Sequence, residues 1–202
     1  MKLYHHPLSG HVHRVHTFVS MLGLSCELVH VDVTQAEQKS PAFLAINPFG
    51  QIPVLEDDGH YIADSNAILV YLAKRYGPAW LPEQPLAAAA VQRWLSVAAG
   101  EVAFGVAAAR IVELFGRPDD PAPMIARGHR LLGLLDAHLA EHAWLATDTP
   151  TMADVSLYAY VARAPEGNVD LAPYGNVRAW LERVEALPGF VPFARTPIGL
   201  AA

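Results

Sequence analysis

The sequence predicts an α/β domain followed by an all-α domain, and three observations carry that prediction. Strand-like and helix-like periodicities alternate as far as Gly77, the stretch GPAWLPEQP (77–85) holds three prolines and a glycine, and no strand signal appears beyond it. The expected limits are therefore 1–77 for the first domain and 86–202 for the second, with a proline-rich linker between them.

The elements of the first domain follow in order. Lys2-Leu3-Tyr4 reads as a short strand and His5 to Gly10 as a loop. From His11 the apolar residues Val12, Val15, Phe18, Val19 and Leu22 recur at helical spacing until Gly23 ends the run. CELVHVDV alternates as a second strand, and a helix crossing between two strands of one sheet makes a right-handed βαβ unit. A thioredoxin-like domain begins in this way. Gln35 to Ile46 is polar and then weakly helical. A turn with Asn47, Pro48 and Gly50 feeds the strand-like QIPVLE, and the Asp57-Asp58-Gly59 turn leads to a short strand, Tyr61 to Ala63. Asp64-Ser65 then opens a helix with Ile68, Leu69, Leu72 and Tyr76 on one face, so the domain reads β-α-β-α-β-β-α.

The second domain is expected to be wholly helical. Leu86 to Phe115 is alanine-rich, with Val91, Trp94, Leu95, Ala98, Val102, Val106 and Ile111 recurring as in one long helix or a broken pair. Arg117 to Pro123 is a loop, and Met124 to Leu139 turns Leu131, Leu132, Leu135 and Leu139 inward. Two shorter helical patterns close the chain, around Val155 to Val161 and Val177 to Val184. Thr151-Met152-Ala153-Asp154 opens the first of these as a capping box in all but the length of its acid, a stability device with no catalytic role.

Composition narrows the function. The 202 residues are 52% hydrophobic and 17% charged, ample for a core without disulfides, and no apolar run is expected to span a bilayer. Lys plus Arg number 14 against 20 Asp plus Glu, a net charge of -6 with no basic cluster, which argues against a nucleic-acid partner. The single cysteine, Cys26, cannot form an internal disulfide, and MKLYHHPLSG lacks an apolar signal core, so a reducing cytoplasm is the expected location. Cys26 is read as a strand residue facing the core.

The stretch from Asn47 to Ser65 concentrates the devices for holding a peptide by its backbone. Pro53 cannot donate to a ladder, and a cis bond before it would turn the Ile52 N–H and C=O outward toward an extended ligand. Asp64 and Ser65 stand at a helix N-terminus, where free N–H groups and the dipole favour an anion while a carboxylate can pair with an ammonium. Both ends of one zwitterion could share that corner. Ser9, just before the first helix, can donate its hydroxyl to a sulfur anion; it is also a favoured helix N-cap.

With its Gln-Ile-Pro and Asp-Ser pairs, the segment resembles the glutathione-binding half of the glutathione transferase family, and the likeness extends over nearly the whole chain. The resemblance implies a thioredoxin-like glutathione-binding domain joined to an all-α domain that carries the site for an apolar electrophile. It places the thiol contact at Ser9, with His11 as a second polar contact. Gln38 and Lys39 match the region that meets the glycyl carboxylate, although Gln38 departs from the histidine often seen there. Gln51 helps at that end, Ile52, before Pro53, pairs backbone to backbone with the cysteinyl unit, and Asp64 with Ser65 holds the γ-glutamyl head. Glutathione enters as co-substrate, and a thiol of pKa about 8.5 must be held as thiolate to react near neutral pH.

Simpler readings stand beside these: a solvated loop side chain for His11 and an exposed surface lysine for Lys39. His5, His6, His11, His13 and His16 are dense enough to suggest a metal, and His13 and His16 could share a helix face, but no carboxylate or cysteine in the helix completes a site and no metal is expected. Phe104, Ala108 and Ile111, with Phe193, are the expected apolar pocket lining. A homodimer is expected, anchored by Phe49, which resembles an aromatic that some family members insert into the partner; the intrachain alternative has Phe49 covering its own sheet edge. Three functions stay open: a transferase, a glutathione-dependent disulfide reductase, and a transferase-like binding protein without useful turnover.

Overall fold

A computed structural model describes residues 1–202. The chain forms two compact units, Met1–Leu81 with Leu187–Ala194, and Pro82–Ala186 with Arg195–Ala202. The division at Leu81 and Pro82 falls inside the proline-rich stretch. Residues 187–194, expected with the helical domain, pack instead in the first unit.

The first unit is built on a four-stranded sheet of β1 (Lys2–His5), β2 (Glu27–His30), β3 (Val54–Asp57) and β4 (His60–Ala63), in the order β2-β1-β3-β4. β1 runs parallel to β2 across helix α1 (Gly10–Met21) and antiparallel to β3, and β3 pairs antiparallel with β4. Asp58 and Gly59 join β3 to β4 with φ of 52° and 76°, the two positive values that a type I′ hairpin turn requires. Strand alternation divides the core. Leu3 and Leu55, paired in register, are fully buried, whereas their neighbours Tyr4 and Val54 pack with Val31, Ile52 and Phe43 of α2 (Pro41–Ile46). Val15 and Phe18 of α1 and Ile68, Leu69 and Leu72 of α3 (Ser65–Tyr76) are buried in the same unit, and α1 packs on α3. This is the thioredoxin-like arrangement.

Two expectations change here. Cys26 lies one residue before β2 rather than on it; it is half-buried, and burial pushes its thiol pKa up, away from nucleophilic use. Phe193, expected beside the helical domain's pocket residues, belongs to the first unit. It stacks on His13, ring centroids 4.6 Å apart, and His13 Nε2 lies 2.7 Å from the Val191 carbonyl. Gly189, at φ 77°, allows this segment to run against the end of α1, for a Cβ there would meet the Ser20 carbonyl at 2.7 Å.

The second unit is all helix. A continuous run covers α4 (Pro85–Val97), a π-type segment (Ala98–Ala107) and α5 (Ala108–Phe115), followed by α6 (Ala122–Glu141), α7 (Met152–Ala162) and α8 (Gly175–Glu185). Contrary to the expectation of no apolar run of spanning length, Pro85–Phe115 has 31 residues and a window of mean hydropathy 1.6. Half of that window is buried, so core packing accounts for its apolar character. The run bends at Gly105 (φ -107°, ψ -107°), where α6 passes so near that a Cβ would sit 3.3 Å from the Gly128 nitrogen. Val91, Trp94, Leu95, Val102 and Val106 face inward, as do Leu131, Leu132, Leu135 and Leu139 of α6.

α7 is buried from Met152 to Val161 and carries the expected capping box, Thr151 N–H donating to Asp154 Oδ2 at 2.9 Å. Asp154 does more than cap. Its other oxygen accepts from the Leu145 N–H and from Trp180 Nε1, each at 3.0 Å, tying α7 to the preceding loop and to α8. Burial pushes this carboxyl above its ordinary pKa against the pull of those donors. A second buried charge is matched directly, Arg110 Nε lying 2.6 Å from Glu166 Oε2.

Candidate functional site

Two local designs shape the first unit's cleft. At one side, Asn47 is buried in its turn, accepting from the Phe49 N–H and donating to the Gln51 carbonyl. Gly50, at φ 58°, closes the turn onto the neighbouring segment, since a Cβ there would come within 2.8 Å of the Gln38 carbonyl. At the other side, Asp64 caps α3 by accepting from the Asn66 and Ala67 N–H groups, both at 2.9 Å. It does so at φ 71°, a conformation that costs a non-glycine residue about 1–3 kcal/mol and gathers at functional sites.

Between these sides lies a cleft of about 360 Å³ lined by His11, Gln38, Lys39, Gln51, Ile52 and Pro53, with Val33, Gly50, Asp64 and Ser65. Eight of the nine expected thiol and glutathione residues therefore meet in one cavity. Ser9 is absent from the lining; its Oγ accepts from the Val12 N–H at 3.3 Å and caps α1. A hydroxyl has one proton and two lone pairs, so capping leaves its donor available.

The cleft's edges carry different functions. Ile52 stands before a cis peptide bond to Pro53 and outside the ladder, which begins at Val54. Its N–H and C=O make no backbone hydrogen bond in the protein. Lys39 Nζ donates to the Phe49 carbonyl at 3.0 Å, which holds one cation at the Asn47–Gly50 end. Gln38 contributes a buried Oε1 with no hydrogen-bond partner, a cost that a donor from a ligand would remove. At the opposite end the Asp64 carboxylate stands exposed beside the first N–H groups of α3. The cleft thus offers a cation at one end, anion and N–H donors at the other, and open peptide groups between.

One contributor escaped the sequence reading. Arg14 is 1% exposed, and its Nη1 donates to Ser65 Oγ at 3.0 Å and Asn66 Oδ1 at 2.9 Å. Its signal was the spacing: it precedes Phe18 by four residues and so falls on the buried side of α1. His11, one turn before Val15, is driven down to a pKa of about 3 by burial and, second, by Arg14. The imidazole is neutral at any physiological pH.

Of the other expected residues, Phe104 is 63% exposed and Ala108 and Ile111 are half-buried on the same helical run. None of the three lines the cleft of the first unit. No group of three or more His, Cys, Asp or Glu side chains is close enough to hold a metal ion.

Comparison with known proteins covers both units. Residues 1–74 match the model of the glutathione S-transferase N-terminal domain, and residues 124–188 that of the C-terminal domain. Glutathione S-transferase 3 of Zea mays is 36% identical over 204 residues, covering 94% of this chain and 91% of its own. Among solved structures, a glutathione S-transferase from Pseudomonas fluorescens superposes with a TM-score of 0.89 at 33% identity, covering 96% of this chain and 98% of its own. A glutathione transferase homologue from Drosophila mojavensis, solved with bound glutathione, gives 0.84 at 29% identity over 93% of this chain and 88% of its own.

Proposed function

The chain belongs to the glutathione S-transferase family, and we propose that glutathione lies in the first unit's cleft, where its thiol becomes the thiolate that attacks an apolar electrophile. The arrangement of charge along the cleft supports this most directly. Asp64 takes the γ-glutamyl ammonium, the Ser65 N–H at the start of α3 takes its carboxylate, and Ile52 pairs with the cysteinyl peptide group. Lys39 takes the glycyl carboxylate, assisted by Gln38 and Gln51. Titration calorimetry with glutathione tests the placement, and product analysis with a panel of electrophiles and mixed disulfides tests the reaction. Conjugates from the first group are expected; thiols released from the second would favour a disulfide reductase. Phe104, Ala108 and Ile111 are proposed as apolar contacts for the electrophile, which needs no metal. A cytoplasmic, detoxifying role fits a reaction that consumes reduced glutathione.

Ser9→Ala should raise the thiol pKa of bound glutathione and lower turnover near neutral pH, leaving affinity largely intact. Removal of the α1 cap should also cost about 1 kcal/mol of stability. Thiolate absorbance against pH reads the first effect; an unchanged titration would pass the thiol contact to His11.

We also propose a homodimer anchored by Phe49. The ring is 77% exposed in the Asn47–Gly50 turn, which does not support its covering its own sheet. Covering it in a partner would contribute roughly 1.5–3 kcal/mol per copy, and a two-fold dimer has two copies. Light scattering of Phe49→Ser over a dilution series should show dissociation at higher concentration than the parent; a dimer as tight as the parent's would remove the anchor role.

A further inference from the structure

The helical unit holds a cavity of its own, about 270 Å³, walled by the end of α7, the helical turn Ala164–Gly167, α8 and the C-terminal segment. It shares no residue with the cleft of the first unit. Leu171, Leu181 and Leu200 make part of its wall apolar, and Arg163, Glu166, Glu185 and Arg195 make the rest charged. Both carboxylates are already engaged. Glu166 is buried; its Oε2 pairs with Arg110 Nε at 2.6 Å, while Oε1 accepts from the Thr196 N–H at 3.0 Å and lies 3.5 Å from Arg163 Nε. Glu185 Oε1 accepts from the Tyr158 hydroxyl at 2.7 Å. With Arg110 behind Glu166, three guanidinium groups serve two carboxylates, so one positive charge around the cavity has no carboxylate to balance it.

We propose that this cavity binds a small organic carboxylate, its anionic end at Arg163 and Arg195 and its apolar body against Leu171, Leu181 and Leu200. The volume lies just under the roughly 300–1,000 Å³ of sites for drug-sized ligands, so the occupant is small. Arg163 is 7% exposed, and burial holds its pKa below the ordinary arginine value; an anion beside it would offset the loss of water. Arg195, exposed at the rim, adds a second guanidinium that can turn toward the same anion. No serine, cysteine, histidine or lysine lines the cavity, so it is a place for binding rather than covalent chemistry.

Phenylpropionate and phenylpropylammonium are the probes, for they share an apolar body and differ in the sign of the charge. Calorimetry on the full-length protein, with glutathione present to occupy the first unit's cleft, should show the carboxylate binding about tenfold more tightly, as an attraction replaces a repulsion of similar size. Arg195→Glu turns the surplus positive charge into a surplus negative one, and the preference should invert toward the ammonium. That inversion would itself show the variant's cavity to be intact. Arg195→Gln, which loses the charge without adding another, should bring the two probes to similar affinity. Equal affinities in the parent, or no binding of the carboxylate, would overturn the site. So would a preference left unmoved by both variants, the result expected if the carboxylate binds elsewhere on the protein.

Discussion

Replacing Asp64 with asparagine should weaken glutathione binding by about 10- to 30-fold, the lower part of the range for a hydrogen bond to a charged group, since Asp64 stands exposed. Asparagine is the informative replacement. Asp64 Oδ1 already serves two N–H groups of α3, so alanine would remove the cap together with the charge, whereas the asparagine oxygen can keep both bonds. Asn also tolerates the positive φ of this position. The control is Asp58→Asn. Asp58 carries the same charge but faces Arg75 at 3.2 Å in an exposed ion pair outside the cleft, and its loss should leave affinity near the parent value. Calorimetry on the two variants decides the matter, and equal losses would mean that Asp64 has no specific role at the ammonium.

Asp154→Ala should lower stability by about 3 kcal/mol or more, because four donors lose a buried acceptor and each such loss costs about 1–3 kcal/mol. Those donors are the Thr151 N–H and hydroxyl, the Leu145 N–H and Trp180 Nε1. The expected readout is a shift of the urea midpoint at constant slope. A loss near 1 kcal/mol, the usual worth of a helix cap alone, would show that the ties to Leu145 and Trp180 are dispensable. Glutathione affinity in the folded variant should be unchanged, as Asp154 lies in the helical unit and the cleft residues do not.

How much of this was legible in the chain depended on distance along it. The β3–β4 hairpin, the Asp64 helix start and the Thr151 box are each settled by residues a few places apart, and each was readable. That the cleft-lining residues belong together was readable for a different reason, since resemblance names positions that no local pattern would collect. Arg14 was missed because its partners lie 51 and 52 residues away, and a charged side chain in a helix looks like a solvated one until its place relative to Phe18 is weighed. The same blindness applies to Arg110 with Glu166, which are 56 residues apart. Phe193 was misplaced because the sequence gives no sign that the chain returns to the first unit after α8.

That return bears on how the protein is made. The sheet and its helices are complete by Leu81, but the surface of α1 at His13 is covered by residues 187–194, the last part of the first unit to be synthesised. During translation the N-terminal unit must therefore wait through the whole helical unit with His13 lacking its stacking partner Phe193 and its Val191 carbonyl. The start of α1 is covered at His13 only after the helical unit has been synthesised, which ties completion of the first unit to synthesis of the second.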